Sequence, residues 1–121
     1  MRVSDLQLDD YVEIGGSIHQ VKALQEGKVG IHKRSSSIHC SWYPESLVNP
    51  IPITEDTFKT PQWKCRVEKG SKVFDYNPAT FVIYDGKVFT FATARPGYSV
   101  IAEIRYLHEL QHKLKEVDRI V

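Results

Sequence analysis

Turn signals recur through the first half of this chain faster than a helix could form between them, and no other feature constrains its fold as strongly. In the first fifty residues DYVEI ends at Gly15-Gly16, SIHQVKAL ends at QEGK, VGIHK ends at RSSS, and IHCSWY follows directly. Such runs are too short for amphipathic helices and are rich in β-branched and aromatic residues, so they read as strands. In DYVEI, Tyr11 and Glu13 alternate with Val12 and Ile14, and the two glycines supply the positive φ of a tight hairpin. Strands of this length and spacing predict a small SH3-like β-barrel over residues 1–49.

The third and fourth strands also suggest a register. With Arg34 to Ser37 as the connecting loop, Ile31 faces Cys40 and Val29 faces Trp42, and these four apolar side chains point inward. His32 then lies opposite His39 on the outer face, with Lys33 and Arg34 at the turn. A cross-strand histidine pair has Cβ atoms about 5 Å apart and could titrate near neutral pH or take a transition metal. The plainer reading is an exposed polar pair with no function. Lys28, Lys33 and Arg34 near Trp42 and Tyr43 also suggest a surface for single-stranded nucleic acid, held by charge and stacking. An inward Trp42, together with Glu26 and Glu45, weakens that reading.

The stretch NPIPITEDTF marks a boundary at residue 50. Pro50 and Pro52 hold the backbone extended, and Thr54 can cap a short helix whose first turn carries Glu55 and Asp56. Beyond Thr60-Pro61, the runs QWKCRVE, KVFDY, FVIYD and KVFTFAT are separated by KGS, NPAT and DG, which predicts an antiparallel β-meander. After RPG, Val100, Ala102 and Ile104 alternate as in a strand. From Tyr106 the period changes. Tyr106, Leu107, Leu110, Leu114, Val117 and Val121 share an arc of roughly 100°, which predicts a core-facing helix. No Ser, Thr, Asp or Asn stands at the junction to cap it. The expected fold class is therefore α+β: an SH3-like barrel over 1–49, then over 50–121 a short helix, a β-meander and one C-terminal helix. The two parts are expected to pack as one compact unit.

Composition excludes several functions. The net charge is +1, and basic and acidic residues number 5 and 6 up to Asn49, 7 and 5 from Pro50 to Val100, and 4 and 4 beyond. Strong nonspecific binding to nucleic acid needs a concentrated positive field, and this distribution supplies none. There is no apolar leader in MRVSDLQLDD and no apolar run near the roughly 18 residues of a membrane span, so a cytoplasmic protein is expected. Cys40 and Cys65 suit reduced, packed thiols there. No G-x-S-x-G, phosphate loop or dinucleotide fingerprint occurs, the carboxylates are scattered, and no cofactor is implied.

One string does suggest catalysis. His108-Glu109-Leu110-Gln111-His112 matches H-E-x-x-H, in which two histidines one helical turn apart hold zinc and the glutamate activates its water. The helical wheel argues against it here. His108 and His112 fall on the polar face with Arg105, Lys115 and Arg119, whose charges oppose a divalent cation. Nine residues follow His112, and Glu116 lies about 12 Å along the axis from His108, too far to join both histidines on one ion. A zinc-dependent hydrolase is the least favoured reading, and His108, Glu109 and His112 are read as surface residues.

NPIPITEDTF at mid-chain and YLHELQH near the end resemble the motifs of an uncharacterised family of small bacterial and phage-encoded proteins, which carry an IPLTEEIL-like stretch and a VHELQN-like helix. The DYVEI opening and the β-rich middle extend the resemblance over most of the chain. Where the family pattern ends in an amide, this chain has His112, a departure that makes the His-x-x-x-His spacing incidental. The resemblance implies a phage or mobile-element context and no activity. The leading expectation is a small, non-enzymatic cytoplasmic binding or adaptor protein whose partner is another protein; the alternative is a weak nucleic-acid binder using His32, Lys33, Arg34 and His39.

Overall fold

A computed structural model describes residues 1–32, 40–95 and 98–118. The chain divides into two units, Met1–Ile51 and Pro52–Val121, each with its own buried cluster of apolar side chains.

In the first unit the strands are β1 (Tyr11–Ile14), β2 (Ser17–Gln20), β3 (Ala23–Gln25), β4 (Lys28–His32), β5 (Cys40–Pro44) and β6 (Val48–Asn49). They form two antiparallel sheets, ordered β2-β1-β6 and β3-β4-β5, and neither closes into a barrel. The SH3-like barrel expected from strand count is not shown. Strand spacing gives the number of strands, but closure depends on pairings between distant segments, such as Ile14 with Val48. Gly15 and Gly16 adopt φ of 59° and 83° in the β1–β2 turn, as their lack of a Cβ permits. Val12, Ile14, Val21, Val29, Ile31 and Val48 form the core with Leu6. At roughly 1.5–3 kcal/mol for each fully buried aliphatic side chain, this small cluster is the main favourable term holding the unit together. The N-terminal turn is tied in by Glu45, whose carboxylate accepts a hydrogen bond from the Val3 amide at 2.9 Å.

The second unit begins with a 3-10 turn over Glu55–Phe58, the short helix expected after Thr54. The Thr54 amide donates to Thr57 Oγ1 at 3.1 Å, and Phe58 is carried into the centre of the core. There it stacks on Phe74 with ring centroids 4.5 Å apart and meets Trp63 edge-on at 5.0 Å. The meander is present: β7 (Lys64–Glu68), β8 (Ser71–Asn77), β9 (Thr80–Tyr84), β10 (Phe89–Arg95) and β11 (Tyr98–Ile104) form one antiparallel sheet in sequential order. The register aligns Phe74, Val82, Phe91 and Ala102 in one cross-strand row on the core face. Asp75, Phe81, Ala92 and Ile101 form a row on the opposite face. Helix α1 (Leu107–Asp118) completes the unit. Leu110 and Val117 are buried, and Leu107 and Leu114 pack against the same cluster, as the helical arc predicts. Val121 lies outside the described residues. The architecture is α+β, dominated by antiparallel sheet with one C-terminal helix. No helix among the described residues is long and apolar enough to cross a membrane.

Candidate functional site

Within the zinc string, Glu109 is engaged with the backbone. Glu109 is the third residue of α1, and its Oε1 accepts hydrogen bonds from the backbone amides of Arg105 and Tyr106, each at 2.9 Å. These donors precede the helix and have no carbonyl one turn back to receive them. Glu109 therefore serves as the helix cap, supplying the reciprocal arm of a capping box with no Ser or Thr on the other side. A carboxylate holding two amides in this way is not poised over a metal-bound water. Among the described residues no group of three or more His, Cys, Asp or Glu side chains could hold a metal ion.

The expectation that both histidines lie on a solvated face is corrected. His108 is 7% exposed, and its ring stacks nearly parallel to Tyr106 at 5.9 Å and meets His112 edge-on at 5.6 Å. His112 is half-buried. The wheel scores only the polarity of the helix itself, whereas the flat rings of Tyr106, His108 and His112, at i, i+2 and i+6, cover one another. The two histidines are close enough to share an ion, but the third ligand that zinc chemistry requires is absent among the described residues.

Of the four residues proposed for a binding surface, His32 is described and Lys33, Arg34 and His39 lie outside the described residues. The register around His32 differs from expectation by one residue. His32 pairs with Cys40, Ile31 with Ser41, Gly30 with Trp42 and Val29 with Tyr43. Seven residues of sequence, an odd number, separate the paired His32 and Cys40, where the expected Arg34–Ser37 loop held four. An odd separation moves every β5 side chain to the opposite face. Val29 and Ile31 stay buried as expected, but Tyr43 now packs against them while Trp42 turns outward with 40% exposure. Cys40 is the register partner of His32, and His39 of the expected pair lies outside the described residues.

The resulting face of the β3–β4–β5 sheet was not foreseen as a unit. Trp42 sits opposite Gly30, and Gly30 opposite Ala23, so the middle row carries one large side chain flanked by two minimal ones. Lys28 and His32 are the diagonal neighbours of Trp42, within reach of long side chains, and Gln25 and Pro44 lie on either side of Lys28. Lys28, Gln25, Trp42 and Pro44 are exposed and His32 is half-buried. The signal that could have found this face is Gly30: a glycine in a strand favours a large aromatic opposite it, which assigns Trp42 rather than Tyr43 to its row. Compared with family models, curated proteins and solved structures, the chain matches none.

Proposed function

We propose that this chain is a small, non-enzymatic binding protein that takes another protein on the exposed face of the β3–β4–β5 sheet, with Trp42 as the anchor. The observation that carries the reading is the outward indole beside a row of small residues. Tryptophan is the side chain most enriched among residues that dominate binding energy, and one held on a rigid sheet loses little entropy on contact. Pro44 and Gln25 extend the surface with uncharged groups, and Lys28 supplies one cation at its rim. The proposal keeps the cytoplasmic setting and the phage or mobile-element context implied by the resemblance.

A second reading has its own support. Lys28 and His32 flank Trp42 diagonally, an arrangement in which a base could stack on the indole while cations neutralise phosphate. The two readings separate by salt. A Trp42-anchored protein complex survives a rise in salt and is lost on Trp42→Ala, whereas a nucleic-acid complex weakens steeply with salt in the unsubstituted chain. The experiment is affinity capture with the full chain and its Trp42→Ala variant at low and high salt, beside fluorescence titration with oligo-dT. Capture of the same proteins by both variants overturns the protein reading, and quenching by oligo-dT that disappears at high salt establishes the alternative.

A further inference from the structure

The five-stranded sheet ends in two edges that are built differently. β7 is exposed along its length and carries Lys64, Arg66 and Glu68, with Arg66 ion-paired to Glu68 and Asp75. Charged side chains on an edge strand are a common defence against the addition of another strand. β11 has no such defence: its seven residues, YSVIAEI, contain no proline, no lysine and one charged residue, Glu103. Its neighbour among the described residues is β10 alone, and Ile101 is 80% exposed.

One hydrogen bond sets which backbone groups face outward. The Ile53 amide donates to the Arg105 carbonyl at 2.9 Å, beside the isolated bridge between Pro52 and Tyr106. The Arg105 carbonyl therefore points away from β10. In an antiparallel ladder the N–H and C=O of a residue point to one side, and the side alternates. Glu103, Ile101 and Ser99 accordingly present their backbone groups to the open edge, while Ile104, Ala102 and Val100 turn theirs to β10.

We infer that this edge pairs antiparallel with the same edge of a second copy of the chain, about a two-fold axis at Ile101. Ile101 then meets its counterpart, Ser99 of each copy lies against Glu103 of the other, and Val100 lies against Ala102. Three features select this arrangement. Each Glu103 carboxylate faces a hydroxyl that can donate to it, whereas a register with Glu103 on the axis opposes two carboxylates. Tyr98 pairs with Ile104, so all seven residues are used and the match stops where Ile53 occupies the edge. The row Phe81, Ala92, Ile101 continues across the axis into the second sheet, which covers the most exposed large apolar side chain of the unit.

Sedimentation of the full chain over a wide concentration range tests the inference. A reversible monomer–dimer equilibrium is expected. Ile101→Lys, which sets like charges on the axis, is expected to abolish the dimer and to leave the melting temperature unchanged at dilutions where the parent chain is monomeric, because the site is solvent-exposed in the monomer. Ser99→Lys creates an opposite-charge pair that occurs twice by symmetry and should tighten the dimer roughly two- to thirty-fold, and Ser99→Glu should weaken it by a similar factor. A chain that stays monomeric to its solubility limit overturns the inference. So does a dimer indifferent to Ile101→Lys, or one that the two Ser99 variants shift in the same direction.

Discussion

If Glu109 is a cap and not a base, removing it should free two particular amides. Its carboxylate accepts from the Arg105 and Tyr106 N–H groups at 2.9 Å each, and it stands at the positive end of the α1 dipole. Loss of a helix cap costs about 0.5–2 kcal/mol, and the Arg105 bond is solvent-exposed, so water recovers part of it. Glu109→Ala should therefore cost about 1–1.5 kcal/mol. Glu109→Gln keeps an acceptor oxygen at the same reach and loses only the charge at the helix N-terminus, about 0.5 kcal/mol.

Amide hydrogen exchange reads both effects residue by residue. In Glu109→Ala the Arg105 and Tyr106 amides should exchange roughly five- to thirteen-fold faster, with a smaller rise through the first turn of α1, and in Glu109→Gln about two-fold faster. The metal reading predicts the reverse order. Gln would abolish a hydrolytic activity while leaving the amides unchanged, and zinc would slow exchange around His108 and His112. Unchanged Arg105 and Tyr106 exchange in the alanine variant, or equal damage from Ala and Gln, refutes the capping argument.

Two further outcomes follow from buried and turn-held polar groups. Thr80 and Thr93 are 0% and 2% exposed and face each other in the β9–β10 register with Oγ1 atoms 2.9 Å apart. Either Thr→Val change alone strands a hydroxyl and should cost about 1–3 kcal/mol, whereas the double change should cost clearly less than the sum, and additive losses in urea denaturation would refute the coupling. At the β9–β10 turn, the amides of Val88 and Lys87 hold the Asp85 carboxyl below its ordinary value of 3.8. A depressed carboxyl stabilises the turn above that value and loses the effect as pH falls through its lower folded value. The Lys87 and Val88 amide signals should therefore titrate below the ordinary carboxyl range and stop titrating in Asp85→Asn, and a midpoint at or above 3.8 would contradict this.

Much of the second unit is legible in the sequence because its signals are local. Val100, Ala102 and Ile104 alternate, DG and NPAT punctuate the meander, and Leu107, Leu110, Leu114 and Val117 repeat at the helical period. These patterns depend on neighbours within a few residues, and the strands and helix form where they predict. The cap is not legible as a Ser, Thr, Asp or Asn before the helix, because the capping group sits inside it at Glu109. The burial of His108 is illegible for a related reason, since stacking on Tyr106 is invisible to a wheel that scores residues singly. In the first unit the strands are legible but their closure is not. The pairing of β1 with β6 joins segments more than thirty residues apart, and nothing in either segment names the other.

The β4–β5 hairpin shows why a candidate site is harder to read than a core. Val29 and Ile31 point inward in either register, because they are the only large apolar side chains of β4 and share one face. β5 is different: SWY places aromatic side chains on both faces, so burial alone is nearly indifferent to which of them turns inward. The choice falls to which residues pair across the sequence KRSSSIH, which holds no glycine, proline or asparagine to dictate a turn length. A one-residue shift of register thus exchanges Tyr43 for Trp42 between core and surface. Stability constrains such a position weakly, so the residue that emerges outward is free to be chosen by what it contacts. That freedom makes an outward tryptophan opposite a glycine more informative about function than the titratable histidine beside it.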